Sequence, residues 1–382
     1  MRRVFMIATV AAALAVSAAP AASAAITWTV QPTPTPAQGV GGQLLAVSCP
    51  SASSCTAVGG YTSNAGPVTL AEHWDGTRWT VQATPNPAGG SFAVLEGVSC
   101  ASASACTAVG EYDSNHGTIA LPLAEHWDGT AWTIQSTPVP AGAILTDMRA
   151  VSCPRAASCT AVGDYFKPGS PGLTVAEYWN GSTWAVQAMP IASPVVSLAF
   201  LNGVSCAAPG QCTAVGWFQR RGTRALVTLA ENNNSGSWRI RSVRGPSATL
   251  GQLNGVACTA RNSCTAVGFS NANGALAERW DGSTWTVQGT PRPAATILNG
   301  VSCPSAASCT AVGFSGSVVA PVAAAEQYSH GTWRRQPTAG PASDEVLAGV
   351  SCTSASTCTA AGYHAVSSTT VQSPLAERSS GG

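Results

Sequence analysis

The sequence predicts an all-β fold, a single seven-bladed β-propeller of four-stranded antiparallel blades. Three observations predict it. First, Cys-x5-Cys-Thr-Ala-(Val/Ala)-Gly, followed 9 to 14 residues after the glycine by Ala-Glu, is written seven times. Second, the first cysteines (Cys49, Cys100, Cys153, Cys206, Cys258, Cys303 and Cys352) stand 45 to 53 residues apart. Repeats of that length built from short strands form propellers or arrays of small sheets. Third, six copies run on to a tryptophan, and the seventh does not. The missing piece stands near the N-terminus as Ile26-Thr27-Trp28-Thr29-Val30-Gln31, which matches Trp79-Thr80-Val81-Gln82 and Trp285-Thr286-Val287-Gln288. An N-terminal strand at 26–31 that completes the last blade closes the ring and removes the exposed sheet edges that invite aggregation.

The second copy shows the elements in order. Val94 to Cys100 reads as a short apolar strand a, and Cys106 to Tyr112 as strand b. Leu121 to Trp127 reads as strand c, and Trp132 to Gln135 as strand d. Gly, Asn, Ser and Pro punctuate the gaps, as hairpin loops require. Asp128-Gly129, between c and d, is a tight-turn signal. Helical periodicity is absent, and four antiparallel strands per repeat make a blade.

All 14 cysteines fall in seven pairs, each enclosing five residues rich in turn formers: Cys49 with Cys55, Cys100 with Cys106, Cys153 with Cys159, Cys206 with Cys212, Cys258 with Cys264, Cys303 with Cys309, and Cys352 with Cys358. A five-residue turn brings two strand ends within bridging distance. Zinc wants four ligands, and no histidine recurs near the pairs, so disulfides are the better reading than metal or redox chemistry. Each closes a small ring and contributes about 2 kcal/mol in the chain-entropy model.

Met1-Arg2-Arg3, an apolar run from Val4 to about Val16, and Ala22-Ser23-Ala24 read as a signal peptide over residues 1–24, with cleavage near Ala24–Ala25. The run is too short to span a membrane. Residues 25–382 are then one propeller domain, secreted and extracellular. Charged residues make up 9% of the chain and the net charge is +1, with Lys167 the one lysine. No basic patch dominates, which argues against nucleic acid. No polybasic or amphipathic segment suggests membrane insertion. A monomer is expected.

Val58-Gly59-Gly60-Tyr61, then Trp74-Asp75-Gly76, Trp79, Pro85 and Pro87, resembles the kelch repeat of galactose-oxidase-like propellers. That family carries a glycine doublet ending strand b, an aromatic before the c–d turn and a tryptophan opening strand d. The likeness runs through all seven copies, although only the first has the doublet. The chain also looks like secreted bacterial repeat proteins. The resemblance implies architecture, and function must be argued from the site. The family's copper site is not implied, because no matching ligand set is present.

A residue repeated in every blade is expected to build, and a singular one to act. Glu72, Glu125, Glu177, Glu231, Glu278, Glu326 and Glu377 are one repeated position. The reading here is a carboxylate bonded between blades to backbone or to the repeated threonine after the second cysteine (Thr56, Thr107 and equivalents), rather than a ring of general acids. The strand-d tryptophans are expected to wedge blades together. Exposed Trp74, Trp127, Trp179 and Trp280 would instead make a multivalent lectin.

Loops a–b and c–d share one rim and are monotonous. Loops b–c and d–a share the other and vary, which is where binding chemistry tends to sit. Candidate ligand-binding residues on that rim are Tyr112, Asp113, His116, Asp164, Tyr165, Lys167, Trp217, Arg220, Arg221, Tyr363 and His364. An aromatic recurs near the glycine ending strand b (Tyr61, Tyr112, Tyr165, Trp217, Phe269, Phe314, Tyr363), either capping blade packing or lining the channel mouth. Asp113-x-Asn115-x-Gly117 lacks the later acidic ligand of a calcium loop. No nucleophile elbow, phosphate-binding loop or metal-ligand cluster is legible, so no catalytic residue, metal ligand or cofactor is assigned. The chain reads as a secreted non-enzymatic binding module for an extracellular glycan or protein. The alternatives are a glycan-active hydrolase or lyase, using Glu111, Asp113, His116, Asp164 or His364, and a cell-surface structural or adhesion protein.

Overall fold

The computed structural model describes residues 26–37, 39–64, 66–114, 119–190, 196–241, 250–272, 274–291, 295–339, 344–365 and 371–381. The signal-peptide reading (1–24) and His116 lie outside them. Among the described residues the chain is all β. β1 (Thr27–Gln31) comes first. Blade 1 is β2 (Gly39–Ser51), β3 (Ser54–Ser63), β4 (Gly66–Trp74) and β5 (Trp79–Gln82). Blade 2 is β6 (Ala93–Ser102), β7 (Ala105–Ser114), β8 (Ile119–Trp127) and β9 (Trp132–Gln135). Blade 3 is β10 (Leu145–Arg155), β11 (Ser158–Phe166), β12 (Leu173–Trp179) and β13 (Trp184–Gln187). Blade 4 is β14 (Val196–Ala208), β15 (Gln211–Arg220), β16 (Leu226–Asn234) and β17 (Ser237–Arg241). Blade 5 is β18 (Gly251–Ala260), β19 (Ser263–Ser270), β20 (Gly274–Trp280) and β21 (Trp285–Gln288). Blade 6 is β22 (Thr296–Ser305), β23 (Ser308–Ser317), β24 (Ala320–Ser329) and β25 (Thr332–Gln336). Blade 7 is β26 (Glu345–Cys352), β27 (Cys358–Ala365) and β28 (Gln372–Ser380), and β1 pairs antiparallel with β28, with Trp28 opposite Ser379. Strands pair antiparallel in the order a-b-c-d, and blades 2 and 3 also share one parallel bridge, Leu145 with Ala120.

The repeated motif makes sense once strand b is seen between two neighbouring blades. Side chains alternate across a strand. In blade 2, Cys106 and Ala108 join Leu95, Leu123 and Trp132 in a cluster that also takes Val58 and Ala71 from blade 1. Val109 and Ala124, one step along, face the other way into the cluster with blade 3. The same scheme recurs at the other junctions, including one where Leu44, Leu70 and Trp79 of blade 1 pack with Ala361 and Ala376 of blade 7. The strand-d tryptophans are 0–6% exposed, and Trp74 and Trp280 are buried as well. Trp127 and Trp179 lean on Trp132 and Trp184 with ring centroids 5.9 and 5.7 Å apart. These rings hold blades together, and the exposed-tryptophan lectin reading fails.

Polar side chains repeat the stitch. Each of the seven disulfides forms within its own blade. The threonine after the second cysteine lies 3.4–3.6 Å from the second cysteine's Sγ in the next blade, from Thr56 with Cys106 round to Thr359 with Cys55. A disulfide sulfur carries no hydrogen, so the hydroxyl donates. The expected Glu–Thr pair is therefore not formed; the threonine is spent on sulfur. The serine before the first cysteine accepts a backbone N–H from the next blade, as Ser48 does from Cys100 and Ser351 from Cys49. Trp132, Trp184, Trp238, Trp333 and Trp28 donate their Nε1–H, over 2.7–3.0 Å, to the strand-d glutamine of the preceding blade. Trp285 lacks this partner because Arg241, another donor, stands where the glutamine should be.

The c–d turns are anchored by one side chain. Asp75 Oδ1 accepts from the Thr77 and Arg78 N–H groups and the Thr77 hydroxyl, and Asp128 and Asp281 repeat the pattern, with Asn180 in blade 3. The Thr77 and Thr130 hydroxyls, with those N–H groups, hold Asp75 and Asp128 down to about 2. Gly76, Gly129, Gly181 and Gly282 sit at φ of 98–100°, which excludes other residues there.

The repeated glutamates are buried on the side facing the preceding blade. Glu377 accepts from the Ala339 N–H, whereas the carboxyl oxygens of Glu72, Glu177, Glu231 and Glu278 have no protein hydrogen bond. Burial raises these four to about 8, Glu125 to about 8 against the pull of the Thr69 hydroxyl, and Glu326 to about 7. At pH 7 the five at about 8 are mostly protonated and Glu326 is about half ionised. Unfolded glutamates titrate near 4.5, so between there and about 8 the folded chain keeps protons that the unfolded chain has lost. Stability falls as pH rises through that interval. The lowered turn aspartates act oppositely and only below about 4. The melting temperature is expected to be higher at pH 5 than at pH 8. Glu125→Gln should narrow the gap by raising the pH 8 value; thermal melts at both pH values check it, and an unchanged gap contradicts it.

Candidate functional site

In every blade the a–b ladder slips by one residue at the same place, between Leu44 and Ala46, Leu95 and Gly97, Met148 and Ala150, and equivalently in blades 4 to 7. The bulged residues are Leu45, Glu96, Arg149, Asn202, Asn254, Asn299 and Ala348. A bulge re-aims a side chain out of the ladder. Here it supplies one chemically free position per blade in a strand otherwise committed to packing. Asn202, Asn254 and Asn299 donate to the Leu253, Leu298 and Leu347 carbonyls of the next blade over 2.9–3.0 Å. Leu45 and Glu96 line a cavity of about 510 Å³ on the b–c rim, together with Gln43, Tyr61, Phe92 and Glu111.

The residue after the strand-b glycine is Gly60, Glu111, Asp164, Trp217, Phe269, Phe314 and Tyr363 in blade order, and the first two line this cavity. Its cross-strand partners are Gln43, Val94, Asp147, Phe200, Gln252, Ile297 and Val346. Blades 2 and 3 thus concentrate charge. Carboxyl oxygens of Glu96, Glu111 and Asp147 lie within 4.8 Å of one another. Arg149 Nη2 is 2.9 Å from Asp147 Oδ2, and its Nε donates to Asp164 Oδ1 at 2.8 Å. The guanidinium also lies 5.5 Å from the Phe200 ring centroid, and Phe200 stacks on Trp217 at 4.5 Å. Acid, guanidinium and aromatic faces form one continuous strip across blades 2 to 4.

Burial, and then the crowding of like charges, pushes Glu96 up to about 8 and Glu111 to about 7. Burial raises Asp164 to about 6 and also raises Asp147, each against the pull of Arg149. Burial pulls Arg149 down, but Asp147 and Asp164 outweigh it and raise the guanidinium.

Of the candidates read from sequence, Asp164 and Trp217 join this strip. Tyr112 and Tyr165 do not: like Tyr61 they stand two residues after the glycine and pack into the blade junctions. The recurring aromatic is thus two positions rather than one. Lys167 Nζ lies 5.3 Å from the Tyr165 ring centroid, and Arg220 and Arg221 are exposed where β15 ends and the b–c loop of blade 4 begins. Asp113 binds the Phe92 carbonyl through its backbone N–H. Tyr363 and His364 are half-buried in blade 7, where burial raises the Tyr363 hydroxyl and His364 stands opposite Glu345. Glu96, Asp147, Arg149 and Phe200 were not singled out by sequence. The missed signal is the residue four before each first cysteine, which reads Leu, Glu, Arg, Asn, Asn, Asn, Ala inside a nearly constant strand. The fold also assembles Glu96, Glu111 and Asp147 from three strands, a juxtaposition that spacing alone did not reveal.

A second cavity, about 590 Å³, lies on the opposite rim between blades 4 and 5, lined by Arg239, Arg241, Arg261 and Asn233. It marks a departure in the repeat, since Asn233 stands where Trp74 or Trp280 fills the gap in other blades. No helix among the described residues is long and apolar enough to cross a membrane.

No family model matches the chain, and no curated protein matches it. Solved structures do. "YCF48 bound to D1 peptide" is 12% identical with a TM-score of 0.56, covering 95% of this chain and 99% of that one. A polysaccharide lyase described as ulvan lyase bound to its sugar is 10% identical with a TM-score of 0.50, covering 85% and 91%. A fungal lectin from Aleuria aurantia, described as a six-bladed β-propeller, is 13% identical and covers 84% and 97%, but its TM-score of 0.44 is too low to bear on blade number or ligand. At such identities these likenesses speak to the fold. The chain is built of seven four-stranded antiparallel blades in a β-propeller arrangement, with one disulfide in each, and the disulfides point to an oxidising, extracellular setting.

Proposed function

We propose that the chain is a secreted, non-enzymatic binding module whose blades close into a seven-membered kelch-like ring, with residues 1–24 as its signal peptide. The contacts of blade 7 with blade 1 through Ala361, Thr359 and Ser351 support closure. The ligand, an extracellular glycan or protein, sits at the mouth on the b–c rim. One observation carries the reading: on a scaffold that repeats itself seven times, carboxyl, guanidinium and aromatic side chains that do not repeat are brought together in one strip from Glu96 to Trp217. Flat rings beside hydrogen-bonding groups suit sugars and peptide side chains alike. Raised Glu96 and Glu111 would also suit a general acid, which favours a glycan-active enzyme as the second reading.

Arrays of glycans and of extracellular peptides, probed with the mature chain, test it. Trp217→Ala is expected to weaken binding at least about tenfold, the loss of one aromatic anchor. Binding unchanged by Trp217→Ala and by Asp164→Asn would move the site elsewhere. Turnover of a bound glycan would install the enzyme reading.

A further inference from the structure

We propose that Glu96, Glu111 and Asp147 form a Ca²⁺ site that ties blade 2 to blade 3 at the channel mouth. Three carboxyls from β6, β7 and β10 place oxygens within 4.8 Å of one another. Two oxygens on opposite sides of one Ca²⁺, each about 2.4 Å from it, stand about 4.8 Å apart. Oxygens no farther apart than this can share one ion.

The charge balance points the same way. Four carboxyls (Glu96, Glu111, Asp147 and Asp164) face one cation, Arg149, with Asp113 near Glu111 adding to the excess. Arg149 is already engaged by Asp147 Oδ2 and Asp164 Oδ1. Asp147 is 4% exposed, yet its Oδ1 has no protein partner. A carboxylate oxygen buried in this way costs several kcal/mol unless something neutralises it. Glu96 and Glu111 line the cavity of about 510 Å³, which provides an entry path and leaves coordination positions open to oxygens of water or of a bound ligand. The donor set is all carboxylate, with no imidazole or thiolate, so it favours a hard cation. The carboxylates come from a bulge and two separate ladders, an irregular cage that Ca²⁺ accepts and that strictly octahedral Mg²⁺ does not.

The test needs no knowledge of the glycan or protein ligand, so it can fail independently of the binding-module reading. The mature full chain is stripped with EDTA and titrated with CaCl₂ at pH 8 by calorimetry, with thermal melts alongside. One Ca²⁺ per chain is expected, with a dissociation constant below about 1 mM as in extracellular calcium modules, together with a Ca²⁺-dependent rise in melting temperature. Glu96→Gln and Glu111→Gln should each weaken binding at least tenfold. Asp281→Asn, in an exposed turn where blade 3 already carries Asn180, should leave affinity unchanged. Should Glu96→Gln fail to fold, the half-buried Glu111→Gln decides. No heat and no shift up to about 10 mM, well above that range, overturns the site, as does wild-type affinity in Glu111→Gln. Equal affinity for Mg²⁺ overturns the assignment to Ca²⁺.

Discussion

Trp28→Ala is expected to lower the unfolding free energy by about 3–5 kcal/mol, the range for a buried tryptophan cut to alanine. Trp28 is 5% exposed and packs against Val312 and Ala325 of blade 6 and Leu347, Ala360 and Leu375 of blade 7. Its Nε1 donates to Gln336 at 3.0 Å, so the substitution also strands a buried amide oxygen. Trp333→Ala, at the same position in blade 6, is the reference, because Trp333 is held by its own hairpin. β1 has no hairpin. Its ladder joins Thr27 to Ser380 across almost the whole chain, and the chain entropy of that closure must be recovered from β1's own contacts. Trp28→Ala should therefore be at least as damaging as Trp333→Ala in a denaturant melt. A chain starting at residue 32 should expose the edge of β28 and run as larger species in size-exclusion chromatography than the chain starting at residue 25. A truncated chain as stable as the parent and of the same assembly state would show that β1 is dispensable and would remove the main support for a closed ring.

What the sequence made legible was whatever repeats. The cysteine pair solves a local problem seven times, and the Asp-Gly turns and the Trp-Thr-Val-Gln strand recur in several blades, so pattern exposes them. The partner of a repeated residue was harder to see. Thr107 and Glu177 stand at positions that both recur and both face neighbouring blades, yet the threonine meets Cys159 Sγ and the glutamate meets no protein donor. The strand-d glutamine was visible in every quoted strand, but its bond to the next tryptophan depends on how blades stack. The mouth was the least legible. Glu96, Asp147 and Trp217 are scattered over more than 120 positions and meet only because each blade's a–b ladder slips at the same residue. Tyr112 and Trp217 read as equivalents because both are aromatics close behind the strand-b glycine; one stands two residues after it and the other one, so alternation sends them to opposite faces.

The glycine ending strand b gives the other large effect. A Cβ built on Gly59, Gly110, Gly163, Gly216, Gly268, Gly313 or Gly362 would lie 1.8–2.0 Å from a strand-a carbonyl oxygen. None of these glycines has a positive φ, so the constraint is close approach rather than backbone conformation. Gly216→Ala would place Cβ 1.9 Å from the Phe200 oxygen and 2.9 Å from Leu201 Cα, and both contacts are backbone that no rotamer change can move. Relief requires spreading the a–b ladder beside the bulge, which also shifts Asn202 and the stack of Phe200 on Trp217. The expected cost is about 3 kcal/mol or more, the upper end of overpacking penalties. Gly289→Ala, with nothing within 4 Å of the new methyl group, should stay within about 0.5 kcal/mol of the parent. Gly60→Ala separates the two members of the blade 1 doublet. Its Cβ meets nothing nearer than 3.3 Å, and the other blades carry Glu111, Asp164, Trp217, Phe269, Phe314 and Tyr363 at this position. It should cost about 1 kcal/mol or less, within the ordinary range for single substitutions. Equal melting temperatures for Gly216→Ala and Gly60→Ala would mean that the bulge does not press the two strands together, and the geometry that aims Glu96 and Arg149 at the mouth would lose its cause.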